Sequence, residues 1–291
     1  FLAMKKTMEI ISLLFFFSRG TSHQTLRFSS KLPSTASMHA LNDRTASLVE
    51  KTFARASVQP NMKQHVDRLF EMGRRKKCRQ HVNPLSSNHQ QPADLIEDWF
   101  GKSFRDPQLP LHLDIGCAYG KFCTDMAVQN PSKNFLGVEI RWPAAAFAIS
   151  KAAELDLPNC HFISCNANID LEKIMGDATK AGAAISTVSI QFPDPHFKKR
   201  NQKKRVLNPQ MITIIERHLC DGGTLFMQGD IIEVMGEMRG IARATAEALV
   251  DSAEDADEWL EENPIGIKTE REKFVLAKGD KVFRCLFKKL H

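Results

Sequence analysis

The chain contains no C-x-x-C pair. Its seven cysteines, at 78, 117, 123, 160, 165, 220 and 285, are odd in number and scattered. That pattern excludes a zinc ribbon and argues against a disulfide framework, so the thiols read as small buried hydrophobes in a reducing compartment, with no metal site. No apolar run is long enough for a bilayer: the greasy stretch from Ile10 to Phe17 is far short of the roughly 20 residues a spanning helix needs. No internal repeat is visible. Neither sign of charge dominates, with 40 Lys and Arg against 34 Asp and Glu for a formal +6, so the placement of charge says more than its sum.

Acidic residues are almost missing from the N-terminus, where Glu9 is the only one before Asp43. Lys5 and Lys6, a short apolar core and a Ser/Thr/Arg-rich tail give residues 1–43 the composition of an organelle-targeting segment, plastid or mitochondrial. The alternatives are a disordered extension, or sequence upstream of the true start, with a cytoplasmic or nuclear protein. Residues 44–106 form a polar N-terminal extension that includes the basic run Arg74-Arg75-Lys76-Lys77.

After Pro110 the pattern changes. Leu111–Ile115, 134–140, 161–165, 185–192 and 224–228 read as short buried strands. Helical stretches at 121–129, 143–155, 209–219 and 233–250 alternate with them. Residues 274–276 and 282–287 are expected to close the sheet as an antiparallel pair. The expected fold class for 107–291 is α/β, a doubly wound, mostly parallel, Rossmann-like sheet.

In such sheets ligands sit outside the carboxyl ends of the strands. The first strand ends in Asp114-Ile115-Gly116-Cys117-Ala118-Tyr119-Gly120, and the second in Glu139, 25 positions after Asp114. That spacing suits a carboxylate on ribose hydroxyls, and Asn166-Ala167 at the third strand end could meet an adenine edge. The second glycine of a dinucleotide G-x-G-x-x-G turn is replaced by Ala118. A ligand with ribose and adenine but no phosphate is therefore expected, namely S-adenosylmethionine.

The fourth strand runs into Phe192-Pro193-Asp194-Pro195, then a stretch in which six of the eight residues from Lys198 to Arg205 are basic. Two prolines fix the backbone around Asp194, and the cations beside it suit nucleic-acid phosphates. A solvated loop is the alternative for the charge run.

On Asp114-Ile115-Gly116-x-x-x-Gly120, Glu139-Ile140-Arg141, Asn166-Ala167, Phe192-Pro193-Asp194-Pro195 with its basic run, Asp230 and Thr269-Glu270-Arg271-Glu272, the chain resembles the tRNA (guanine-N7-)-methyltransferases, class I methyltransferases, over 107–291. The resemblance implies methyl transfer from S-adenosylmethionine to N7 of a variable-loop guanosine in tRNA. It makes Asp194 the catalytic carboxylate. It gives the methyl donor Asp114, Gly116, Gly120, Glu139, Ile140, Asn166, Ala167, Thr269 and Glu270, and the RNA Lys198, Arg200, Asp230 and Glu272. His196 and Asn201 depart from many bacterial members, and Gly229 stands where a Thr usually precedes the Asp. A β-propeller partner subunit, found with eukaryotic members and absent from bacterial ones, stays open. So does a catalytically silent RNA-binding scaffold.

Overall fold

The computed structural model describes residues 82–195, 204–255 and 257–290. The N-terminal segment 1–43, the run Arg74–Lys77, and Lys198, Arg200 and His196 beyond Pro195 all lie outside the described residues.

Among the described residues, seven strands form one sheet in the order β3-β2-β1-β4-β5-β7-β6. They are β1 (Leu111–Ile115), β2 (Asn134–Glu139), β3 (Cys160–Ser164), β4 (Ile185–Gln191), β5 (Leu219–Gly229), β6 (Leu249–Asp251) and β7 (Phe283–Lys289). β1 to β5 pair in parallel. β7 runs antiparallel to both β5 and β6. Helices α1 (Trp99–Ser103), α2 (Lys121–Gln129), α3 (Trp142–Glu154), α4 (Ala167–Lys180), α5 (Pro209–His218), α6 (Ile232–Thr245) and α7 (Glu270–Ala277) make the connections. The strand order reverses between β1 and β4, so the switch-point crevice opens outside their carboxyl ends.

Continuous burial of β1 and β2 is what a parallel strand covered on both faces requires. In α3, Ala144, Ala145, Ala146, Ala148 and Ala152 all face inwards; their small side chains let the helix approach the sheet closely. Asn208 caps α5 through Met211 N–H at 3.0 Å, with Pro209 at the first helical position. Among the cysteines, Cys117, Cys123, Cys160, Cys165 and Cys285 are buried free thiols, and burial pushes the Cys285 thiol up to about 12.

Three differences from the sequence expectation have physical reasons. The closing antiparallel pair is β6 with β7, whereas Phe274, Val275 and Leu276 belong to helix α7. A capping box decides that segment: Thr269 Oγ accepts from Glu272 N at 3.1 Å while Glu272 Oε2 accepts from Thr269 N. Helix α4 is not among the expected elements, although Leu171, Ile174, Met175 and Ala178 follow helical spacing and are buried. The packed body also reaches upstream of residue 107, because Trp99, Phe100 and Phe104 join the same core cluster as Leu113 and Leu136.

Candidate active site

A cleft lies at the switch point, where the ligands of open α/β sheets bind. Its walls come from four strand ends: Ile115 and Gly116, then Val138 to Arg141, then Cys165 to Asn168, then Ile190 to Asp194. Val82, Pro84, Lys204 and Val206 complete it. The expected site residues Gly116, Glu139, Ile140, Asn166, Ala167 and Asp194 thus meet in one place.

On the β1 side the main chain does most of the shaping. Gly116 has φ +84°, and a Cβ built there would meet nothing within 4 Å; the missing side chain leaves open space where a ligand would lie. Gly120 serves packing instead. A Cβ there would come within 2.5 Å of Ala148 Cβ and 2.6 Å of Phe162 Cζ, so the glycine lets α2 seat against α3 and β3. Glu139 is buried and holds the turn together. Its Oε2 accepts from Ala118 N at 2.9 Å and Arg141 Nη2 at 3.1 Å. Its Oε1 accepts from Arg141 N at 2.8 Å and Nε at 2.9 Å.

Asn166 caps α4 through Asn168 N–H at 3.1 Å, and its amide donates to Pro84 O and His89 O at 3.2 and 2.9 Å. Its side chain is therefore committed to pinning residues 84–89 over the cleft, which leaves the backbone around Ala167 and Asn168 to face a ligand. Ala93 N–H, donating to Asp170 Oδ1 at 2.9 Å, fastens the same segment. Sequence reasoning missed this strap; only its Asn-Pro dipeptide at 83–84 hints at a fixed turn.

On the β4 side, buried polar side chains do the shaping. Asp114 does not line the cleft. It lies under the turn and accepts from Ser189 Oγ at 2.6 Å and Gln191 Nε2 at 3.1 Å. Burial pushes its carboxyl above the usual carboxylate range, against the pull of hydrogen bonds from Ser189, Gln191 and Cys123. Ser189 spends its one proton on Asp114, so His112 Nε2–H is the donor in the 2.8 Å contact between His112 and Ser189. Burial holds His112 neutral, its pKa lowered to about 3.

Gln191 accepts in turn from Gln228 Nε2 at 2.8 Å, and the same amide reaches Glu272 Oε2 at 3.1 Å. Glu272 is fully buried and also holds Asn263 Nδ2 at 2.9 Å and Arg284 Nη2 at 2.9 Å. A ladder of side chains therefore crosses β1, β4, β5 and β7 just below the ligand edge. Glu272 and Thr269 belong to this ladder and to the capping box, and neither lines the cleft; Glu270 is exposed.

The Asp194 segment is braced at both ends. Phe192 sits at φ +51°, a left-handed conformation that costs a bulky residue on the order of 1–3 kcal/mol. Its N–H donates to Gln228 O at 2.7 Å. Beyond Asp194, Pro195 O accepts from Arg205 Nε at 2.9 Å, and Arg205 is paired with Glu237. Arg205, one of the expected phosphate-facing cations, is thus turned inwards as a brace. Asp230 follows β5 and pairs with Arg271 of α7, while Met235 packs over Gly229, where a Cβ would lie 2.8 Å from its sulfur.

The geometry fits a methyl-donor nucleoside. An acidic group sits at the second strand end, apolar Ile115, Val138 and Ile140 line the walls, and open space lies over Gly116. A family model described as "Putative methyltransferase" matches residues 108–285. The chain is 42% identical over 213 residues to the tRNA (guanine-N(7)-)-methyltransferase of Thermosynechococcus vestitus, covering 73% of this chain and 95% of that one. It is 41% identical to the enzyme of that name from Synechocystis, covering 74% and 98%. Among solved structures, the 16S rRNA methyltransferase KamB matches at 13% identity with a TM-score of 0.43, covering 64% of this chain and 91% of its own. By its sequence relatives, the chain belongs to the tRNA (guanine-N(7)-)-methyltransferase family.

Proposed function

We propose that this protein is an S-adenosylmethionine-dependent enzyme that methylates N7 of a variable-loop guanosine in tRNA. One observation carries the reading: the Pro-flanked carboxylate of Asp194 and the Gly116 turn with Glu139 line the same cleft. Gly116, Glu139, Ile140 and the backbone around Ala167 hold the nucleoside of the donor, and Asn166 keeps the 84–89 strap over it. Glu139 would hold the ribose hydroxyls of the donor, its Arg141 guanidinium partner giving way. S-adenosylmethionine, when bound, supplies a methyl group on a cationic sulfur.

Guanine N7 carries an in-plane lone pair and no proton, so the protein needs no general base. What it must supply is alignment, which is worth roughly 7–11 kcal/mol in favourable cases. Asp194 orients the base and offsets the positive charge that reaches it; the braces at Phe192 and Pro195 hold that carboxylate in place before the base arrives. Asp114, Gly120, Thr269 and Glu272 act as positioning residues. Lys198 and Arg200, outside the described residues, and Asp230 contact the RNA. In the same proposal, the acid-poor composition of residues 1–43 supports import into a plastid or mitochondrion, which a fluorescent fusion of that segment would test.

The function is tested by incubating the protein with unmodified tRNA and a labelled methyl donor, then digesting the RNA to nucleosides. Label in N7-methylguanosine is the expected result. Label in another nucleoside, or none with donor still bound, would reject the reading in favour of a different acceptor or a silent RNA-binding scaffold.

A further inference from the structure

Helix α7 buries only Glu272 and Val275 among its eight residues. The rest of its surface is exposed, and Phe274 stands 51% exposed at its centre. Two cations attend that ring: Lys278 Nζ lies 4.3 Å from the ring centroid and Arg271 Cζ 5.6 Å. Around it, Lys268, Arg271, Lys273, Lys278 and Lys281 are all exposed, against exposed Glu270 and Asp280. An exposed ring alone would be ordinary; what marks this one is the pair of cations gathered on it.

The place of this surface matters as much as its chemistry. Arg271 reaches across to Asp230, the residue that follows β5. A Cβ on the preceding Gly229 would lie 3.8 Å from Pro193 Cδ. The surface is therefore continuous, through Asp230 and Pro193, with the segment that carries Asp194.

Resting on the tRNA reading above, we infer that the exposed face of α7 is an RNA-docking surface on which Phe274 stacks against an unpaired base near the target guanosine. As the base seats, Lys278 leaves its place over the ring and, with Lys273 and Lys281, meets the adjoining phosphates. Charge complementarity selects the occupant: an exposed π-face among excess cations is what single-stranded RNA loops use, since every base offers a face and every linkage a negative charge. Drawing a guanosine into the cleft unstacks its neighbours, which leaves such a face free to pair with the ring.

The test uses the full chain with an unmodified tRNA transcript, comparing wild type with Phe274→Ala, Phe274→Leu and Phe274→Trp, and with Lys278→Ala. Phe274→Ala is expected to raise the KM and Kd for tRNA by about tenfold. Its kcat, melting temperature and affinity for S-adenosylhomocysteine should stay at wild-type values. Trp should restore tRNA binding, and Leu, which refills the volume without a π-face, should not. Lys278→Ala should lower the slope of log Kd against log salt by roughly one. An active wild type whose Phe274→Ala keeps its tRNA KM, or whose Phe274→Leu binds as well as wild type, overturns the docking surface alone. So does a tRNA-neutral Phe274→Ala that loses capture of a protein partner. A wild type that does not methylate tRNA overturns the underlying reading as well.

Discussion

The two sides of the cleft are built by different means. Around the ends of β1 to β3, the site is shaped by main chain: a turn with Gly116, Ala118 and Gly120 at positive φ, an alanine-lined helix, and one carboxylate, Glu139, gathering N–H donors. Around β4, β5 and β7 it is shaped by side chains. There the ladder from Asp114 through Gln191 and Gln228 to Glu272 and Arg284 fixes the strand ends, and the strained Phe192 hangs from it. A nucleoside of constant shape can be held by backbone. On the proposed function, the β4 side aligns a base for reaction and needs a carboxylate fixed in one place; buried hydrogen bonds supply such rigidity at the risk of large penalties when one partner is lost.

That contrast can be broken most severely at Glu272. Glu272→Ala strands the Arg284 guanidinium, which is buried beside it, and should cost about 3–5 kcal/mol of stability, read as a lower denaturant midpoint. Asp194→Ala should leave folding and S-adenosylhomocysteine affinity intact while lowering turnover on tRNA by about 100-fold or more. Glu139→Gln does the converse, weakening the donor by about tenfold through loss of charged hydrogen bonds with little change in tRNA binding, both measurable by calorimetry.

The smallest expected effect lies beneath the donor side. His161 is buried against Trp99 and Phe104. Its Nε2 has no hydrogen-bond partner among the described residues, and burial lowers its pKa to about 4. The folded state therefore holds the ring neutral, while the unfolded chain takes up a proton below its ordinary value of 6.5. Stability from this group is complete above that value and is lost as pH falls towards about 4. His161→Phe should remove that loss, a relative gain of about 1 kcal/mol at pH 5.5, seen as a flatter curve of melting temperature against pH.

The donor side was the more legible in sequence, because its devices are local. A glycine turn after an apolar strand and an acid at the next strand end are each read within a few residues; across the cleft only Pro-Asp-Pro is as local. The ladder was not legible. Gln191, Gln228 and Arg284 are ordinary polar residues whose partners lie 12 to 77 positions away in the chain, and only the fold brings them together. The strap at 84–89 was hidden for the same reason, its anchor Asn166 being 77 to 82 positions distant. Glu272 marked a family element, but Thr269 three residues before it also spelled a helix start, and the β-prone Phe-Val-Leu run that follows masked it. Local cap chemistry outweighed propensity there.

A crystal structure of the full chain with S-adenosylhomocysteine tests the account most directly. The nucleoside should lie over Gly116 between Glu139 and the start of α4, with the sulfur directed towards Asp194. A nucleoside bound elsewhere, or a sulfur turned away from the carboxylate at 194, would contradict the assignment of this cleft to methyl transfer.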